Sequence, residues 1–162
     1  MRTVFIILLT MLTMQAHAQE KKATKKHFWH TVETTASPDE IWAVWTNVQN
    51  WKTWDTGLKD ASMSDNFALN AKGVITSLEN KKSKFKIVAF EQGKTYTFKT
   101  NLPLGGLYVK RSLEVKNGVT FFTHEVWFSG LTGGIFANMF GEKFKEMLPE
   151  VMENIKKIAE KP

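Results

Sequence analysis

The sequence predicts an α+β domain in which one antiparallel sheet is paired with a long C-terminal helix. Three patterns carry that expectation. A capped, proline-started helix follows one alternating segment, six β-type runs separated by turn residues fill residues 58–130, and an apolar stripe at helical spacing runs from Ile135 to Ile158.

Ahead of the domain, Arg2 is followed by the apolar residues 4–9 with Met11, Leu12 and Met14, and then by Ala16-His17-Ala18. This is the pattern of a secretory signal peptide, with cleavage expected near Ala18. Residues 3–14 fall short of the roughly 20 apolar positions that a permanent span requires, and no cysteine follows to accept a lipid anchor. The expected organisation is a leader at 1–18, a basic flexible tail at 19–26 and one domain at 27–162. The expected location is periplasmic or secreted, with no permanent membrane span.

Without residues 1–18 the chain has 144 residues, and loss of Arg2 leaves 21 bases against 16 acids, a net charge of +5. A single domain of that size buries about 68–70% of its unfolded surface. With no cysteine, an exported fold relies on its core, and thiol catalysis and thiolate metal sites are excluded. Lys21, Lys22, Lys25 and Lys26 read either as a plain solvated tail or as a stretch with weak attraction to an anionic membrane surface. Nucleic acid is not an expected partner, because Arg111 is the one arginine after the leader.

Residues 28–36 alternate as a strand, with Phe28, His30, Val32 and Thr34 on one face. Ser37-Pro38-Asp39-Glu40 then supplies an N-cap, a proline at the first helical position and a capping acid three residues on. Ile41, Trp42, Val44 and Trp45 give that helix its apolar side, and residues 47–55, with Trp51 and Trp54, read as a second short helix or structured turn. The β runs follow at 58–63, 73–78, 84–90, 95–100, 107–116 and 119–129, with turns at Asp65-Asn66, Glu79-Asn80 and Gln92-Gly93. Residues 101–106 form a longer, flexible connection. The last helix carries Ile135 or Phe136, Phe140, Phe144, Met147 or Leu148, Val151, Ile155 and Ile158 on one side, and Pro149 inside it predicts a kink.

This order, together with the Ser37-Pro38-Asp39-Glu40-Ile41-Trp42 helix start, Trp51-Lys52-Thr53-Trp54-Asp55, and Thr123-His124 before Ser129-Gly130-Leu131, resembles the polyketide cyclase/dehydrase and lipid-transport family. That family lies in the START-like (SRPBCC) superfamily, which includes the birch pollen allergen. The resemblance spans residues 28–161. It implies a helix-grip fold, a curved seven-stranded antiparallel sheet wrapped around the long helix, with a cavity between them that in relatives holds apolar small molecules.

Asn117-Gly118 between two β runs predicts a two-residue hairpin, which fixes the register. Arg111 then faces His124, Val109 faces Val126, Leu113 faces Phe122 and Leu107 faces Phe128 on the more apolar, inward side. Lys110 and Glu125 would pair outside. An inward arginine needs an acceptor, and three outcomes compete. It pairs with an internal carboxylate such as Glu91 or Asp60, it holds the acidic head of a cavity ligand, or a bulge turns it to solvent. A cation beside His124 favours the neutral imidazole, which could serve as general acid/base or simply be a satisfied structural histidine. His30 shares the apolar phase of its strand, but no third ligand at a recognisable spacing accompanies the two histidines, and no metal is expected.

Tyr96, Phe98, Val109 and Phe122 are candidate lining residues on the sheet, with Phe136, Met139 and Phe140 as the opposing wall. The competing reading makes the aromatics ordinary core. Residues 101–106 and 131–134 are candidate gates or plain turns. No phosphate loop, nucleophile elbow or zinc helix occurs, and no cofactor is expected. Two functions remain: an exported binding protein for an apolar or amphipathic, lipid-like molecule, with Arg111 and His124 at its head, or a cyclase, dehydratase or hydrolase using His124. A third reading is an interaction protein with a collapsed cavity. Export favours the binder, because carrier-tethered polyketides and coenzyme A thioesters are cytosolic.

Overall fold

The structure, a computed structural model, describes residues 22–161; the leader expected at 1–18 and Lys21 lie outside them. Strand β1 (His27–Thr34) leads to helix α1 (Pro38–Thr46) and a 3-10 helix (Val48–Thr53). Strands β2 (Leu58–Met63), β3 (Lys72–Ser77), β4 (Lys82–Glu91), β5 (Thr95–Leu102), β6 (Gly105–Lys116) and β7 (Val119–Gly130) follow. Helix α2 (Gly133–Phe136), a π-helical turn (Ala137–Gly141) and helix α3 (Glu142–Ala159) complete the chain. All seven strands join one antiparallel sheet in the order β1-β7-β6-β5-β4-β3-β2. The expected architecture is present: a seven-stranded curled sheet holding a long C-terminal helix, the helix-grip fold.

Local chemistry explains the boundaries. At α1 the Ser37 side chain accepts from the Glu40 amide while the Glu40 carboxylate accepts from the Ser37 amide, a complete capping box. The β6–β7 hairpin turns on Asn117 (φ 51°) and Gly118 (φ 80°), the left-handed pair that a two-residue turn requires. Its register is the expected one throughout, from Leu107 opposite Phe128 to Lys116 opposite Val119. Helix α3 buries Leu148, Val151, Met152 and Ile155 against the sheet. At its end, the Glu160 carboxylate accepts from the Thr34 and Thr35 hydroxyls and the Thr35 amide, which ties the helix to β1.

Several expectations need correction. The connection between β5 and β6 is a tight turn, because Asn101-Leu102 and Gly105-Gly106 pair as strand residues and only Pro103 and Leu104 (φ 53°) lie between them. The long helix runs through Pro149 from Glu142 to Ala159, and a π-helical turn precedes it at Ala137–Gly141. There a Cβ on Gly141 would overlap the Lys25 carbonyl, so the entering chain crosses the helix in backbone contact. The Lys26 carbonyl also accepts from the Phe128 amide, and Thr24 bridges to His27. Residues 24–26 are therefore held by the fold, although the Lys22, Lys25 and Lys26 side chains remain exposed. On the outer face, Glu125 stands opposite Lys110 in register, and its carboxylate lies 2.6 Å from His27 Nε2.

Candidate functional site

Arg111 and His124 are cross-strand neighbours on the inward face of β6 and β7, each only 2% exposed. Neither of the carboxylates named for Arg111 pairs with it, and no bulge turns it to solvent. The register runs through it without a bulge, Glu91 pairs with Lys94, and Asp60 pairs with Lys52. The guanidinium lies between two indoles, 4.6 Å from the ring centre of Trp51 and 4.7 Å from that of Trp54, with the Tyr96 and Phe98 rings each at 5.5 Å. Four aromatic faces thus surround a cation supplied by the chain itself, replacing hydration with ring quadrupoles.

The first hydrogen-bond acceptor is a hydroxyl. Arg111 Nη1 donates to Tyr96 Oη, which in turn lies 3.4 Å from the Trp45 carbonyl. That carbonyl, in the last turn of α1, also accepts from Trp51 Nε1 at 2.8 Å. Helix C-termini carry partial negative charge, and α1 has no basic residue in its last turn. Through Tyr96, Arg111 supplies the missing cation from across the core. Burial lifts the Tyr96 hydroxyl to about 12 against the opposing pull of Arg111, so it stays a donor at ordinary pH.

The acid nearest in effect is Asp55, which follows the 3-10 helix. Its carboxylate accepts from the Gly57 amide at 3.0 Å. Burial raises it above the usual carboxylate range, while the Gly57 hydrogen bond and the Arg111 charge pull it back. Sequence reasoning missed Asp55 as a partner for Arg111; the visible signal was its place directly after Trp54, in a segment whose tryptophans fold inward.

His124 stacks on Trp45 with ring centres 5.9 Å apart and lies 6.2 Å from Trp54. Burial first, then the charges of Arg111 and His30, hold its imidazole well below the ordinary histidine value, so it is neutral. His30 sits opposite it on β1 and is half-buried. Among the described residues no group of three histidines, cysteines or acids gathers as metal ligands would. Four buried polar atoms in this neighbourhood have no hydrogen-bond partner: Arg111 Nε, His124 Nε2, Trp45 Nε1 and Trp54 Nε1.

Of the expected lining residues, Tyr96, Phe98 and Phe122 are buried in this cluster and Val109 lies half-buried between Phe98 and Val126. Phe136, Met139 and Phe140 are elsewhere. Phe136 stacks on Phe140, Phe140 on Phe144, and Phe144 on Phe128, while Met139 and Phe140 are exposed. The space beside Arg111 is occupied by indole rings. Outside it, a cleft of about 250 Å³ opens between α1, the 3-10 helix and the end of α3, lined by Val44, Asn47, Thr53, Trp54 and Ile158. Trp54 is shared, forming cleft wall outside and cation cover inside.

A curled sheet gripping a long helix, with a charged and aromatic interior, is the helix-grip fold of Bet v 1-like proteins. The chain belongs to the polyketide cyclase/dehydrase and lipid transport family, whose model matches residues 25–160. Among solved structures it is similar to a protein from Arthrobacter aurescens, at 18% identity and TM-score 0.64, over 85% of this chain and 88% of that one. It is similar to Ara h 8.0201 at 14% identity and TM-score 0.63, over 82% and 96%. Norcoclaurine synthase from Thalictrum flavum, in complex with dopamine and hydroxybenzaldehyde, matches at 13% identity and TM-score 0.63, over 85% and 88%. At these identities the likeness is one of fold. No curated protein matches the chain.

Proposed function

We propose that this protein acts after export, as a binding protein for an apolar or amphipathic small molecule with an acidic head, held between the sheet and the C-terminal helix. The observation that carries this reading is the group of unspent polar atoms around Arg111. Arg111 Nε, Trp45 Nε1 and Trp54 Nε1 are donors, and neutral His124 Nε2 is a donor or an acceptor according to tautomer. Buried groups of this kind cost free energy unless paired, and a carboxylate or phosphate head would accept from several at once. Aromatic rings would cover its tail. Trp54, as the ring shared with the outer cleft, is the side chain that must swing for entry.

The alternative, a cyclase, dehydratase or hydrolase with His124 as general acid/base, draws on the unpartnered Nε2 beside Arg111. Its depressed basicity and deep burial weaken it as a base, which favours binding over turnover. Export is supported by the leader pattern at residues 1–18, and intact mass of the exported protein should place its first residue at Gln19. The exposed Lys22, Lys25 and Lys26 side chains support contact with anionic surfaces.

The test is titration of wild type and Arg111→Met with a matched series of fatty acids and fatty alcohols, read by tryptophan emission and native mass spectrometry. Acids should bind wild type roughly tenfold or more tightly than alcohols, the scale of a charge-assisted hydrogen bond, and Arg111→Met should erase that preference. Failure of every amphiphile to bind would refute the reading. Equal affinity of Arg111→Met for acids would remove Arg111 from the site.

A further inference from the structure

Nine large apolar side chains are exposed among the described residues, and they are not evenly spread. Six of them, Leu78, Leu104, Leu131, Ile135, Met139 and Phe140, belong to one end of the molecule. The topology puts them there. In this meander the β3–β4 turn, the β5–β6 turn and the exit from β7 into α2 all fall at the same end of the sheet. Leu104 and Leu131 are fastened together, since the Leu131 amide donates to the Leu104 carbonyl at 3.0 Å and Thr132 Oγ1 donates to the Pro103 carbonyl. They are 74% and 87% exposed, the two most open apolar side chains described. Lys143, one turn beyond Phe140 and Met139, acts electrostatically on Glu79 in the β3–β4 turn, so helix and turn share this end.

Lysines outnumber acids around these tips, with exposed Lys81, Lys82 and Lys143 against Glu79 and Glu142. Strand β1 starts at this end, with His27 opposite Trp127, so the entering chain brings Lys22, Lys25 and Lys26 to the same place. The Lys25 backbone lies directly on Gly141, next to Phe140. Clustered apolar tips mark a surface that meets a partner, and apolar tips ringed by lysine fit the interface of an anionic bilayer, where leucine and phenylalanine enter the acyl boundary and lysine meets the headgroups. A second copy of this chain fits poorly, because a two-fold contact would bring the same lysines face to face.

We propose that this end docks on the surface of an anionic membrane, with Leu104 and Leu131 as the inserting pair and Lys25, Lys26 and Lys143 as the headgroup contacts. The proposal extends the tail's attraction for anionic surfaces to a defined face, and it stands independently of what the interior binds.

The experiment is co-sedimentation of the purified protein with vesicles of phosphatidylcholine alone or mixed with phosphatidylglycerol. Wild type is compared with Leu104→Ser/Leu131→Ser and with Lys25→Glu/Lys26→Glu/Lys143→Glu in the same chain background. Wild type should sediment with the mixed vesicles and release in high salt. The leucine variant should lose roughly tenfold or more in partitioning, the scale of withdrawing two leucines from an apolar phase, and the lysine variant should lose its preference for phosphatidylglycerol. Unchanged near-ultraviolet circular dichroism establishes that the variants are folded. No sedimentation of folded wild type, or full retention by the leucine variant, overturns the proposal. So does a wild-type dimer in sedimentation velocity that the leucine variant dissolves, which would assign the face to self-association. The fatty-acid titration of Arg111 is a separate readout, so either result can fail alone.

Discussion

Arg111 lies buried between two indoles and beside a tyrosine hydroxyl. Removing one member of a buried polar cluster leaves the others unpaired. Arg111→Met takes a donor from the Tyr96 hydroxyl and a nearby cation from buried Asp55, and should lose about 1–3 kcal/mol in urea unfolding. His124 makes a pH-dependent prediction. Its folded-state basicity is depressed below the ordinary value of about 6.5, so the unfolded chain takes up a proton that the folded protein refuses. Stability is full above that pH and falls as pH drops, by up to about 1.4 kcal/mol per pH unit, until the folded imidazole itself titrates. His124→Gln should flatten that slope when unfolding free energies at about pH 7.5 and 5.5 are compared. The inward phase of both residues was legible in the sequence, because Asn117-Gly118 fixed the register. The surroundings of Arg111 were not, since Tyr96 hydrogen-bonds it from β5, the Asp55 charge acts on it from beyond the 3-10 helix, and only the closed sheet brings them together.

At the scale of elements, two short sequences carry structure out of proportion to their length. The capping box starts α1, and Ser37→Ala should cost about 1 kcal/mol in thermal or urea unfolding. Gly141 lets Lys25 pass over the π-helical turn, and Gly141→Ala must push backbone from backbone. A loss of about 1–3 kcal/mol is expected, with faster amide exchange at Phe128, whose hydrogen bond to the Lys26 carbonyl belongs to the same crossing. Caps, strands and the amphipathic face of α3 are local patterns, and the sequence displays them directly. The crossing at Gly141 and the shortness of the β5–β6 turn are products of tertiary contact. The glycines at 105 and 106 read as a flexible loop, whereas they pair across to Asn101 and Leu102. The helix runs on through Pro149, with Leu148, Val151 and Met152 buried on either side of it.

As a whole, the molecule has one core that runs from the tryptophans of α1 and the 3-10 helix through the inward faces of β4–β7 to α3. Unfolding should therefore be a single event, with tryptophan emission and far-ultraviolet circular dichroism giving coincident transitions. The order of elements was readable along the chain because each strand pairs with its sequence neighbour, except where β1 closes onto β7. Whether the interior is open was unreadable, since aromatic residues line a cavity and fill one with equal ease. Here they pack around Arg111, and that packing has an optical consequence. Trp42 and Trp45 stand 6.5 Å apart at 62°, and Trp51 and Trp54 stand 5.9 Å apart at 52°. Indole transitions held this close and skewed mix into delocalised pairs of opposite rotational strength, so the folded protein should show an exciton couplet in its spectrum. A guest that lifts Trp54 away from Trp51 would uncouple one pair and leave the other, and the interior would report its own occupancy without any label.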